Sequence, residues 1–299
     1  MPGPAIRRSP RVALVTCAAL PDLDPDDRLL RAALTDRGVD VDAAVWDAAT
    51  TDWDDYGLVV LRSTWDYPSR HGEFLDWATR VPRLANPADV VAWNTDKVYL
   101  RDLAAAGITV VDTDWVPPGG AWTPPTTGEY VVKPTVSAGS RDTGRYDLTD
   151  PGRRELATAH VTRLTGSGRT AMVQPYLSAV DTAGETALLW MAEPDGPLTF
   201  SHAVRKGPML DGPDVGVQGL FRPEDITART ATDAELALAR QVLAAVPNGA
   251  DLLYARVDVI PGPDGTPTLL ELELTEPSLF LVFADGAPAR LAAAIHARL

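Results

Sequence analysis

YARVDVIPGPDGTPTLLELELT, residues 254–275, decides the fold of this 299-residue chain. Two runs rich in Val, Ile and Leu flank PGPDGTP, and Asp264-Gly265 within it is a two-residue hairpin turn signal. A hairpin centred there sets Asp258 opposite Glu271 and Arg256 opposite Glu273. Alternate residues of a strand share a face. One face therefore carries Arg256, Asp258, Glu271 and Glu273, and the other carries Ala255, Val257, Val259, Leu270, Leu272 and Leu274, a predicted core face. Carboxylates placed opposite one another repel, and Arg256 offsets only part of that charge. A hard divalent cation relieves the rest, since Mg²⁺ is held by one or two carboxylates together with substrate phosphates. Asp258, Glu271 and Glu273 are thus candidate metal ligands, with a solvated polar sheet face as the plainer alternative.

Outward from the hairpin, strands and helices alternate. Residues 11–18 and 57–62 read as short buried strands, with a helix over Asp27–Arg37 stopped at Gly38 and another near 71–80. Strands separated by helices imply a parallel sheet, so the chain to about residue 95 is predicted as one α/β unit. A helix over Asp96–Ala106, capped by Gly107, opens a second segment, and the Pro/Gly run 117–128 excludes helix or inner strand. Strands Glu129–Lys133 and Thr170–Tyr176 then bracket a helix near 151–164. Beyond 177 come strands near 186–192 and 199–206, a helix over 233–246, the hairpin, and a closing helix over 286–298. The predicted domains are 1–95, 96–176 and 177–299.

The formal net charge of −14 repels polyanions, so nucleic acid is not an expected partner. Arg7-Arg8 before an apolar run ending at Cys17 superficially resembles an export signal. That run is short and leads into Asp22, Asp24, Asp26 and Asp27, and no stretch approaches the roughly 20 apolar residues of a membrane span. A cytoplasmic protein with a buried Cys17 thiol is expected, acting without a membrane partner. A homo-oligomer is left open.

Of 27 cationic residues only three are lysines, Lys97, Lys133 and Lys206. A chain that otherwise uses arginine has kept lysine where a compact charge can reach phosphate oxygens. No Walker A or GxGxxG sequence occurs, so any nucleotide must be held by scattered groups. Lys133 leads into PTVSAGSRDTG, whose backbone amides suit phosphate, and the strand ending at Pro175 suits a purine pocket. His202-Ala-Val-Arg-Lys-Gly207 sets Arg205 beside Lys206.

NTDKVYLRDL (94–103), VVKP (131–134) with its SAGS loop, VQPYL (173–177), VDVI (257–260) and LLELELTEPS (269–278) together resemble the ATP-grasp superfamily, in its glutathione-synthetase-like branch. The resemblance implies an ATP-grasp fold: an N-terminal parallel-sheet α/β domain plus two α+β domains that clasp ATP, with 96–176 as the lid. It implies that Lys97 and Lys133 contact nucleotide phosphates and that Ser137, Ala138, Gly139 and Ser140 form a mobile loop over them. Gln174, Pro175, Tyr176 and Leu177 would hold adenine, Asp181 would sit near the ribose, and Arg205 would reach the transferring phosphate. Lys206 and Arg256 join the implied catalytic set, and Asp258, Glu271 and Glu273 match the ligands of Mg²⁺, with two ions expected.

Two positions depart from the branch. Glu273 stands where glutathione synthetases carry Asn, and Ala187 stands where a basic residue is common, so the substrate is not expected to be glutathione's. LRSTWDY (61–67), YARVDVI and LELTEPSLFL are most similar to the cyclo-ligase type that closes D-cycloserine from O-ureido-D-serine. The implied reaction forms an acyl phosphate on an amino-acid-like substrate and displaces it with a nitrogen of the same molecule, with loss of CO2 and NH3. Arg62, at a strand's C-terminal end, is a candidate grip for the substrate's anionic group, and Ser278 is a second substrate candidate. The competing readings are an intermolecular carboxylate–amine ligase of another antibiotic pathway, a kinase without ligation, and an ATP-binding regulatory module.

Overall fold

The computed structural model describes residues 11–216, 220 and 224–299. Arg7 and Arg8 lie outside the described residues. Three sheets follow one another along the chain.

The first is built from β1 (Arg11–Thr16), α1 (Pro25–Thr35), β2 (Asp40–Val45), β3 (Leu58–Ser63), α2 (His71–Arg80) and β4 (Leu84–Ala85). Its strands lie in the order β2-β1-β3-β4, and every pairing is parallel, as expected. The run Val12–Val15 is fully buried because helices cover both faces of a parallel sheet. Helix α1 starts where the Asp24 side chain accepts from the Asp26 N–H, has Pro25 in its first turn, and buries Leu30 and Leu34 four residues apart. Cys17 is buried and free, as expected.

Helices α3 (Ala88–Asn94) and α4 (Tyr99–Ala105) lead to the second sheet. Its elements are β5 (Asp114–Val116), β6 (Glu129–Pro134), β7 (Gly144–Asp147), α5 (Pro151–Gly166) and β8 (Ala171–Pro175), ordered β5-β8-β6-β7 and antiparallel. The short α6 (Ala179–Thr182) precedes the third sheet. That sheet comprises β9 (Glu185–Ala192), β10 (Leu198–Lys206), β11 (Ile226–Arg229), α7 (Asp233–Ala244), β12 (Tyr254–Pro261) and β13 (Pro267–Glu273), ordered β11-β10-β9-β12-β13. Thr232 and Glu235 form a reciprocal capping box at the start of α7. The closing α8 (Ala287–Ala297) places Leu291 and Ile295 in the core cluster that also takes Leu30, Leu34 and Leu189, and so ties the first sheet to the third.

The short strands β2, β4, β5, β7 and β11 are not among the predicted ones. All five lie at sheet edges, where few side-chain contacts demand a patterned sequence. Helix α4 begins at Tyr99 rather than Asp96 because Lys97 is drawn off to the second sheet, its N–H donating to Thr135 O at 2.9 Å.

The hairpin keeps the predicted pairs Arg256–Glu273 and Asp258–Glu271, but the turn is wider than Asp264-Gly265. Its loop is closed by Gly262 N–H donating to Thr266 O at 2.8 Å. Towards that loop Val259 pairs with Leu269, so Leu270 is the extra residue of a β-bulge. The bulge corrects one expectation: Leu270 leaves the core face and packs with Val111, Val180 and Ile260. Leu272 and Leu274 keep their predicted core places, and Ala187 is wholly buried, away from any basic role.

Candidate functional site

A cleft of about 410 Å³ lies between the second and third sheets, with the first sheet's loops at one end. Strand alternation selects its lining. From β6, Val131 and Lys133 face it while Val132 enters the core. On β12 Arg256 and Ile260 line it, with Asp258 on the same face, while Val257 and Val259 are core. On β13 the bulge adds Leu270 to Glu271 and Glu273.

The predicted residues converge in large part. Lys97 ion-pairs with Glu271 at 3.0 Å and donates to the Ser137 carbonyl at 2.9 Å, so one cation joins the carboxylate patch to the Ser137–Ser140 loop. Lys206 reaches Asp258 at 3.2 Å and Glu185 at 3.3 Å. Arg256 Nε donates to Asp258 at 2.9 Å, its Nη2 is paired with Glu273, and its Nη1 donates to the Ser278 carbonyl at 3.1 Å. Lys133, Ser137, Ala138, Gly139, Ser140, Gln174, Pro175, Tyr176, Leu177 and Ser278 all line the cleft. Gln174 is buried, its amide donating to Thr113 Oγ1 at 2.9 Å. Val111, Val180, Ile260 and Leu270 form an apolar wall beside Tyr176 and Leu177.

Three predicted residues are placed elsewhere. Arg62 is 1% exposed and does not line the cleft. Its Nε donates to Asp27 at 2.7 Å, Nη1 to Leu61 O at 3.3 Å and Nη2 to Pro277 O at 2.7 Å, which ties β3 to the segment after β13. Arg205 is on the face of β10 opposite Lys206; its Nε donates to Ala183 O at 2.9 Å and it stands 3.7 Å from Asp225, away from the cleft. Asp181 accepts from Tyr176 at 2.6 Å and pairs with Arg145 at 3.2 Å, which steadies Tyr176 from outside the cleft.

Glu185, Glu276, Trp65 and Tyr67 line the cleft and were not singled out. Glu276 falls within LLELELTEPS, so that motif contained the signal, and Glu185 lies two residues before Ala187. Asp24 and Asp26 carried none beyond a helix start.

Charge pairing governs the protonation of this site. Burial pulls Lys206 down, but Asp258 and Glu185 outweigh it and hold the ammonium well above its ordinary value. Burial opposes ionisation of Asp258 too, yet Arg256 and Lys206 keep its carboxyl below the usual range. Glu271 is likewise lowered, by Lys97 and Lys133 against burial. Glu273 goes the other way, up to about 8, because burial dominates, Arg256 is shared with Asp258, and Glu271 and Asp258 add repulsion. Burial lowers Lys133, helped by Lys97 and opposed by Glu271. Among the described residues Lys133 alone of the three lysines has no carboxylate at ion-pair distance.

Among the described residues no three carboxylate, imidazole or thiol groups gather in the arrangement of a metal site. Each carboxylate of the expected trio is ion-paired, Glu271 with Lys97, and Asp258 and Glu273 with a shared Arg256. The donor chemistry still fits Mg²⁺: the candidate ligands are hard oxygens, and Asp258, Glu271 and Glu273 lie on one face of the hairpin.

The same three-sheet arrangement occurs in an ATP-grasp RimK-domain protein from Sphaerobacter thermophilus, at TM-score 0.64 and 16% identity over 96% of this chain and 98% of that one. The chain thus has the ATP-grasp fold. The family described as "D-cycloserine synthetase DcsG, N-terminal domain" matches residues 12–86. A cycloserine biosynthesis protein, DcsG of Streptomyces lavendulae, is 39% identical over 96% of this chain and 98% of its own. The crystal structure of D-cycloserine synthetase DcsG superposes at TM-score 0.85 with 36% identity, covering 96% of this chain and 99% of that one. The chain belongs to the D-cycloserine synthetase family and is an ATP-dependent ligase. Among the described residues no helix is long and apolar enough to cross a membrane.

Proposed function

We propose that this ligase activates the carboxylate of O-ureido-D-serine with ATP and closes it to D-cycloserine. The observation that carries the reading is kinship with a cycloserine biosynthesis protein over 96% of this chain. The substrate carboxylate attacks the γ-phosphorus of ATP, giving an acyl phosphate and ADP. The ureido nitrogen bonded to oxygen attacks the acyl carbon, a C–N bond forms, phosphate leaves, and the nitrogen's proton passes to solvent. Hydrolysis of the carbamoyl group, consuming one water, releases CO2 and NH3. Holding both ends of one molecule in one cleft supplies effective molarity for ring closure.

Residue roles follow from charge and position. Lys133, which has no carboxylate at ion-pair distance among the described residues, offers its ammonium to the phosphates, and Lys97 brings the Ser137–Ser140 loop over them. The Leu270 wall with Tyr176 and Leu177 suits adenine. Lys206 and Arg256 face the transferring group and offset its spreading charge. Asp258, Glu271 and Glu273 would hold Mg²⁺, which when bound neutralises phosphate charge.

Mass spectrometry of O-ureido-D-serine incubated with ATP and Mg²⁺ tests the reading. Cycloserine is the expected product. ADP released without cycloserine would point to an intermolecular ligase, and a stable phosphorylated acid seen by phosphorus NMR would point to a kinase.

A further inference from the structure

Of the carboxylates that line the cleft, Glu185, Glu224, Glu271 and Glu273 each have a cation at ion-pair distance. Asp24 and Asp26 accept from the backbone N–H groups of Asp26 and Val282. Among the described residues Glu276 has neither kind of partner; the Tyr67 hydroxyl hydrogen-bonds to its carboxyl. The backbone around Glu276 lies outside any helix or strand, yet three consecutive carbonyls are clamped by side chains from elsewhere. Glu276 O accepts from Trp65 Nε1 at 2.9 Å, Pro277 O from Arg62 Nη2 at 2.7 Å and Ser278 O from Arg256 Nη1 at 3.1 Å. The clamps fix the point from which the Glu276 side chain enters the cleft wall. Such support is what a group needs when its placement decides a reaction.

We propose that Glu276 is the base that takes the proton from the ureido nitrogen as that nitrogen closes the ring. The assignment rests on the cyclo-ligase reading above and deepens it. The nitrogen's lone pair is delocalised into the carbamoyl group, so it attacks poorly until its proton is drawn off. The free amine of an intermolecular ligase attacks first and loses its proton afterwards. In the step, the nitrogen bonds to the acyl carbon, its proton passes to the Glu276 carboxylate, and the bond from that carbon to the phosphate oxygen breaks. Phosphate leaves with the electron pair, and Glu276 then returns the proton to solvent. A carboxylate paired with a cation is held in its charged form and is a weaker base. Burial pushes Glu276 up to about 7, with Glu271 adding repulsion and Lys97, the Tyr67 hydroxyl and Arg256 pulling the other way. A base works best with its pKa near the working pH.

Hydroxylamine tests this by competition, because its free lone pair attacks the acyl phosphate and gives a hydroxamate without help from the base. With O-ureido-D-serine, ATP and Mg²⁺, the ratio of cycloserine to hydroxamate should fall roughly 100-fold or more in Glu276→Gln, while hydroxamate still forms and the melting temperature holds. Glu276→Asp should recover part of the ratio. Tyr67→Phe removes a hydrogen bond that favours the ionised carboxyl, so the rise of cyclisation with pH should move to higher pH. That variant reads the same group should Glu276→Gln fail to fold. A wild-type ratio in Glu276→Gln, or an unmoved pH profile in Tyr67→Phe, overturns the assignment and leaves the cyclo-ligase reading standing. Equal loss of cycloserine and hydroxamate also overturns it, since Glu276 would then serve binding or phosphoryl transfer. Wild type that gives hydroxamate and no cycloserine refutes the cyclo-ligase reading, and the assignment with it.

Discussion

Lys133 and Lys97 are both buried lysines on one cleft, yet their loss should have opposite signatures. Lys97 is paired with Glu271 at 3.0 Å and holds the Ser137 carbonyl, so Lys97→Met leaves a largely buried carboxylate without its cation. Breaking a buried pair in this way costs about 3–5 kcal/mol. Glu271 keeps 25% of its side chain exposed, and solvent screening brings the expectation down to about 2–3 kcal/mol. At roughly 2–4 °C per kcal/mol, the melting temperature should fall by about 4–12 °C. Lys133 has no such partner among the described residues, and burial already disfavours its charge. Lys133→Met should therefore leave the melting temperature unchanged or raise it slightly, and still weaken ATP by the worth of a charge-assisted contact, about 1.5–3 kcal/mol or roughly 10- to 150-fold. The pH dependence supplies a second check. A lysine whose folded pKa lies below its ordinary 10.5 binds fewer protons folded than unfolded between the two values, so its stability penalty is present below that window and fades as pH rises through it. Wild type should gain on Lys133→Met as pH climbs toward 10.5. Differential scanning fluorimetry and ATP titration measure both quantities. A Lys133→Met protein that melts as low as Lys97→Met, or binds ATP like wild type, would refute the reasoning.

Further outcomes follow from the same geometry. Arg62→Met strands Asp27 in the interior and should cost about 3–5 kcal/mol of stability in denaturant titration; protein that remains folded should keep a near-normal KM for the acid, which a substrate-gripping role would not allow. Glu273, with a folded pKa of about 8 against an ordinary 4.5, contributes stability that is complete below pH 4.5 and lost as pH rises to about 8. Melting without Mg²⁺ should fall across that window. Added Mg²⁺ with ATP should stabilise more at the alkaline end, where the carboxylate is ionised. Leu270→Asn should raise the KM for ATP roughly tenfold by placing an amide in the apolar wall, with little change in the KM of the acid; equal losses for both would remove Leu270 from the nucleotide side.

Much of this was local enough to be legible in the sequence. The parity of Glu271 with Glu273 is a property of one strand, and the pairing of Asp258 with Glu271 needed only a hairpin, so both held even though the turn is wider than its Asp-Gly signal implied. The scarcity of lysine led to Lys97, Lys133 and Lys206, and all three line the cleft. Tertiary structure decided what parity cannot. Arg205 and Lys206 are neighbours on β10 and must face opposite ways, but only the packing of the third sheet settles which one meets the cleft. Arg62 looked like a ligand because it ends a parallel strand; Asp27 and Pro277, distant in the chain, close around it. The bulge that turns Leu270 outward depends on the Val259–Leu269 pairing beyond it. Sequence by itself determined which residues could carry charge and in what order along each strand, because those facts travel through the covalent chain. Which charges are neutralised, as at Glu271, and which have no ion-pair partner among the described residues, as at Lys133, depends on contacts between remote segments, and only the folded chain brings those together.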